Sequence, residues 1–150
     1  MISEREKQAV RNFAAGHNCA QSVLMAYADV LGFTQEQCAM VSVGFGGGLG
    51  RLRDHCGAFS AAVMLCGALE GPDGALKEHR PQTYARVQEV HRRFIERNGT
   101  ICCAELLGRA KVPEAPTPEE RTPEYYKRRP CARIIRMACK IIDEMMAEEE

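Results

Sequence analysis

Tryptophan is absent from this 150-residue chain, and its aromatic residues are only five Phe and four Tyr. No run approaches the roughly eighteen apolar residues that a membrane-spanning helix needs, so no span is expected. Net charge is missing as well. Twenty Lys and Arg balance 20 Asp and Glu, which leaves no electrostatic footprint for nucleic acid or an anionic membrane. The short basic run Lys127-Arg128-Arg129 is offset by Glu119, Glu120 and Glu124. Residues Met1 to Lys7 are highly charged and lack the apolar stretch of a secretory signal. A cytoplasmic protein is expected. No segment alternates with period two, so strands are not expected. A P-loop, a His-Glu-x-x-His helix and a nucleophile elbow are all missing. So is any Cys-x-x-Cys, which removes zinc ribbons, thioredoxin-like motifs and the common ferredoxin spacing.

Cysteine itself is plentiful. The eight stand at positions 19, 38, 56, 66, 102, 103, 131 and 139. In a reducing compartment a disulfide framework is disfavoured, so such usage points to metal binding or redox chemistry. With no close pairs to work from, a shared site has to be assembled by the fold from distant positions.

Helix signals run along the whole chain. Ser3 with Glu6 forms a capping box for a first helix that stops at Gly16, and Asn18 caps a second that ends at Gly32. Thr34 with Gln37 opens a third, which dissolves into glycines. A fourth, from Cys56 to about Leu69, is apolar nearly all round and belongs at the centre of a bundle. A charged helix follows from about Pro81 to Arg97, then a short one capped by Thr100 that stops at Gly108. Pro113, Pro116 and Pro118 mark a loop. The last helix starts near Pro130, buries Ile134, Ile135, Ala138, Ile141, Ile142 and Met145, and ends in a solvated Glu148-Glu149-Glu150 tail. The expectation is one all-α domain over 1–150, a bundle of six to seven helices with a glycine-rich loop.

That loop, Gly44-Phe45-Gly46-Gly47-Gly48-Leu49-Gly50, runs through Arg51 to His55 into Cys56-Gly57-Ala58. A dinucleotide fingerprint would need a preceding strand, but a helix precedes it here. Two readings remain. The glycines are either a flexible connector at a helix end or a backbone pressed against a thiolate or cluster with its N–H donors aimed inward. On the second reading Gly46, Gly47, Gly48 and Gly57 are the cofactor-binding candidates.

Cys19, Cys56, Cys103 and Cys131 each fall in the first turn of a predicted helix. Partial positive charge and unpaired N–H groups there stabilise a thiolate, the species that binds metals and attacks disulfides. These four are the candidate redox thiolates and metal ligands of one shared site. Cys38, Cys66 and Cys139 lie deeper in helices and read as buried fillers. Cys102 is a second choice, because adjacent side chains on a helix diverge. His17 and His55 stand near site cysteines, though an exposed polar residue at a helix end explains each as well. Arg51, Arg53 and Arg129 fall near the site and suit an anionic substrate or partner, but surface solvation accounts for them equally.

Asn18-Cys19-Ala20-Gln21-Ser22-Val23, the glycine loop into Cys56-Gly57-Ala58-Phe59-Ser60-Ala61, Cys103-Ala104-Glu105-Leu106-Leu107-Gly108 and Cys131 together resemble the C_GCAxxG_C_C family, described as redox-active proteins. The resemblance covers most of the chain and falls on the same four cysteines. Two positions depart from the family pattern. Ala61 stands where glycine is usual, which implies slightly different packing of the central helix. His55 precedes the central cysteine, which adds a candidate ligand or proton donor. The resemblance implies redox activity and no particular substrate.

Four functions remain open. An iron–sulfur cluster held by Cys19, Cys56, Cys103 and Cys131 is favoured, with glycine N–H groups tuning its potential. A metal-free thiol–disulfide protein would cycle the same cysteines in pairs. A structural zinc site is less favoured, because close ligand pairs are usual for zinc. In the fourth reading the chain is a helical interaction module with incidental cysteines. An oxidoreductase activity and an unspecified redox partner fit the first two.

Overall fold

The structure, a computed structural model, describes residues 1–149; Glu150, the end of the expected solvated tail, lies outside the described residues. Its elements are α1 (Glu4–Ala14), α2 (Cys19–Met25), α3 (Ala28–Leu31), α4 (Gln35–Ser42), α5 (Gly57–Ala68), α6 (Arg80–Asn98), α7 (Cys103–Leu107), α8 (Pro123–Arg128) and α9 (Cys131–Glu148). Short 3-10 turns lie at Val43–Phe45, Gly71–Ala75 and Lys77–His79. The all-α expectation holds, but the helices among the described residues number nine rather than six to seven. The second expected helix breaks at Ala26–Tyr27 into α2 and α3, and α8 forms between the proline loop and the last helix, where no element was expected. Thr122 caps α8, accepting from the Tyr125 N–H, and Pro123 sits in its first turn. No described helix is long and apolar enough to cross a membrane.

Capping chemistry sets the register of the first half. Ser3–Glu6, Asn18–Gln21 and Thr34–Gln37 all form reciprocal capping boxes, each worth about 0.5–2 kcal/mol against alanine at the cap. The central helix is α5. It packs against α2, α6 and α9, and α9 also runs beside α1. Ala58, Ala61 and Ala62 have no exposed surface, and their small side chains let those neighbours come close. On α9 the stripe Ile134, Ile135, Ala138, Ile141, Ile142 and Met145 is buried as expected. Burying each large aliphatic of that stripe contributes about 1.5–3 kcal/mol.

Polar pins close the bundle. The Tyr27 hydroxyl donates to Asp143 Oδ1 (2.6 Å), and the Ser3 hydroxyl donates to Asp143 Oδ2 (2.7 Å). They join both ends of the chain in space. One short antiparallel contact matters for function. The Cys56 N–H donates to the Ile101 carbonyl and the Cys103 N–H to the Asp54 carbonyl, each at 2.7 Å, around a bridge between His55 and Cys102. This clamp holds the starts of α5 and α7 side by side.

Candidate functional site

Cys19, Cys103 and Cys131 are each the first residue of a helix, and Cys56 immediately precedes α5. These four helix starts converge, and all four cysteines line one cavity of about 320 Å³. Cys38, Cys66 and Cys139 are fully buried in the core instead, as expected of small apolar fillers. Cys102 turns away from the cavity, its Sγ donating to the Arg53 carbonyl at 3.6 Å. His55 is more than half exposed, near Asp54, and does not line the cavity. His17 takes part through its backbone carbonyl, which accepts from Arg121.

Gly46, Gly47, Gly48 and Gly57 all lie on the cavity wall. Three of them touch the segments that carry the cysteines. A Cβ on Gly48 would stand 2.6 Å from Cys103 Cβ and 2.7 Å from the Asp54 N, at a φ of +67° that favours glycine. One on Gly57 would stand 2.8 Å from the Phe45 carbonyl and 3.1 Å from the Ala20 N. One on Gly46 would overlap the side chain of Asn18, the cap beside Cys19. The loop is therefore closely packed rather than a flexible connector. Leu49, Arg51 and Arg53 also have positive φ, a conformation that costs a non-glycine residue about 1–2 kcal/mol. Internal bonds hold the turn, including the Asp54 N–H to the Gly48 carbonyl at 2.8 Å.

A cationic wall faces the cysteines. Buried Arg53 donates from Nη1 to Cys103 Sγ (3.6 Å) and from Nη2 to Glu114 (3.0 Å). Arg51 and Arg109 also reach Glu114, while Arg109 and Arg129 share Glu119. Both glutamates sit in the proline loop 109–122, whose Pro116 and Pro118 close the cavity. Arg121 stands apart. Its guanidinium lies over the rings of Phe13 (4.5 Å) and Tyr125 (4.9 Å) and donates to the carbonyls of Phe13 and His17, each at 3.1 Å.

Only Cys131 of the four thiols is made more acidic, and a neighbouring thiol and cations rather than its helix end do it. Cys131 is pulled below the usual thiol range, first by a hydrogen bond from Cys19 and then, against burial, by Arg129 and Arg121. Cys19 is correspondingly pushed up, chiefly because its own proton is held in that bond. Burial pushes Cys56 up to about 12 although the Phe59 and Ala58 N–H groups oppose it. Burial also raises Cys103, with Arg53 opposing. Desolvation outweighs the helix ends wherever no cation faces the sulfur strongly enough.

A family model described as "Putative redox-active protein (C_GCAxxG_C_C)" matches residues 17–145. The chain belongs to the C_GCAxxG_C_C family. The matched span contains all four cavity cysteines and the glycine loop, and it leaves α1 outside. A protein of Archaeoglobus fulgidus, named "Uncharacterized protein", is 26% identical over 133 residues, covering 83% of this chain and 81% of its own. No solved structure matches. Family membership carries redox activity as its description; it names no cofactor.

Arg121, Glu114 and Glu119 were not singled out from the sequence. Arg53 and Glu114 are 61 positions apart in the chain, and no local pattern signals a pairing at that range.

Proposed function

We propose that this C_GCAxxG_C_C protein holds an iron–sulfur cluster on Cys19, Cys56, Cys103 and Cys131 and serves electron transfer or redox chemistry. One observation carries the reading: four cysteines from four separate helix starts line a single cavity. Among the described residues, no three His, Cys, Asp or Glu side chains stand close enough to hold a single metal ion. Close ligand pairs are usual for zinc, and these four cysteines are dispersed along the chain. When bound, such a cluster supplies one-electron chemistry at a potential set by charge, hydrogen bonds to sulfur and burial. The chain's part is to bind through the four thiolates, to donate from Arg53 to the Cys103 sulfur and to exclude water with the proline loop. Cations on the wall favour the more reduced, more negative state and so raise the potential.

Replacing any one of the four cysteines by serine is expected to remove bound iron and visible absorbance while leaving the helical content in place. Cys66→Ala is expected to keep both. Equal iron content in Cys56→Ser and wild-type protein would overturn the reading.

A second reading has its own support in the bond between Cys19 and Cys131 and the lowered pKa of Cys131. In metal-free protein the Cys131 thiolate would attack a disulfide of an oxidised partner. Cys19 would then displace the partner's thiol, leaving a Cys19–Cys131 disulfide and a reduced dithiol partner. Fast thiol reaction at neutral pH in a sample without iron would favour it.

A further inference from the structure

We propose that the cavity binds a small organic anion, a carboxylate on an apolar body, with Arg121 as its anchor. The purpose of such binding rests on the redox reading above, but the binding itself does not. Charge is the first support. Three arginines of the wall, Arg51, Arg53 and Arg129, and Arg109 behind them share the two carboxylates of Glu114 and Glu119. Arg121 also lines the cavity, and no carboxylate among the described residues comes within ion-pairing distance of it. One of the sharing arginines, Arg53, is further engaged with a site sulfur, that of Cys103. Arg121 donates to neutral oxygens, the Phe13 and His17 carbonyls and the Tyr126 hydroxyl, and lies against aromatic faces, and the site thiol it favours in charged form is Cys131. A cation so enclosed gains strongly from an anionic partner.

Preorganisation is the second support. Two backbone carbonyls and two stacked rings already fix the guanidinium plane, so little ordering is left for the side chain when a carboxylate binds. The third is size and lining. The volume falls in the range of small-molecule pockets, about 300–1,000 Å³. Leu106, Leu107, Ile134 and Phe13 supply apolar surface, which suits an organic body better than a bare inorganic ion. An anion seated there lies in the same cavity as the cysteines.

Calorimetry on reduced, anaerobically purified protein tests this with benzoate, benzyl alcohol and inorganic phosphate as probes. Benzoate should bind, benzyl alcohol should bind about tenfold more weakly or worse, and Arg121→Gln should lose about tenfold in benzoate affinity, the worth of one charge-assisted pair. Phosphate should be weaker than benzoate. The wild-type comparison of benzoate with benzyl alcohol stands even if Arg121→Gln fails to fold. No benzoate binding, equal affinity for the alcohol, or phosphate binding as tightly as benzoate overturns the proposal. Iron and sulfide are measured on the same samples. Intact iron without benzoate binding defeats the anion proposal alone, and benzoate binding without iron defeats the cluster reading alone.

Discussion

Gly48 is where one methyl group should do most harm. Its φ is +67°, and a Cβ there would stand 2.6 Å from Cys103 Cβ, 2.7 Å from the Asp54 N and 2.9 Å from the Arg53 carbonyl carbon. Ordinary carbon contacts lie at about 3.5–4.0 Å, so Gly48→Ala must push apart the loop and the start of α7 by about 1 Å. The left-handed backbone costs about 1–2 kcal/mol, and the forced overpacking adds about 1–3 kcal/mol. Gly50 is the control. Its φ is +56°, but nothing lies within 4 Å of a Cβ built there, so Gly50→Ala should lose only the backbone part. Urea unfolding with unchanged slope should place Gly48→Ala about 1–3 kcal/mol below Gly50→Ala. It should also lower iron content, because Cys103 moves, while Gly50→Ala keeps it. Equal losses in the two variants would refute the view that the glycines serve close approach to the cysteines.

Three further outcomes follow from the wall of arginines. In metal-free protein, alkylation of Cys131 should rise with a midpoint at about pH 7, and Arg129→Gln should move that midpoint upward because one cation facing the thiolate is gone; an unmoved midpoint would contradict this. Glu114 is held well below the usual carboxylate range, at about 2, by its bond to Arg53. A depressed carboxyl contributes stability that is present above its unfolded value and lost as pH falls through the folded one. Glu114→Gln should therefore lower stability at neutral pH by about 1 kcal/mol, given the pair's partial exposure, with the deficit shrinking between pH 4.5 and 2; a deficit constant over that range would count against it. Arg53→Lys should preserve charge but lose the shared contact to Cys103 and Glu114, shifting the midpoint potential of the iron-loaded protein downward with little change in iron content.

Much of the fold was legible because it is written in local chemistry. The Ser3–Glu6 and Thr34–Gln37 boxes and the Asn18 cap sit where side-chain oxygens three residues from a partner must satisfy orphan N–H groups. Gly32, Gly99 and Gly108 end helices with left-handed backbone. The four cavity cysteines were legible for the same reason, as each stands at a helix start. The α8 signal was present in Thr122-Pro123 but was hidden by the prolines before it. The acidity of the thiols was misread because burial depends on the tertiary packing of α5 and α7, which helix position alone does not report. Arg121 and Glu114 were illegible for a different reason: the Phe13 and His17 carbonyls and Arg53 lie more than sixty positions away along the chain. Glu119, with partners ten positions to either side, lies in a loop without a helical spacing to signal the pairing.

Iron and acid-labile sulfide content, with a visible absorption spectrum, on protein purified without oxygen is the most direct measurement. If the four cysteines hold a cluster, iron and sulfide will appear in near-stoichiometric amounts, and both will vanish in Cys56→Ser. Wild-type protein with neither iron nor sulfide would contradict it, and rapid neutral-pH reaction of Cys131 in that sample would leave the Cys19–Cys131 dithiol as the redox centre.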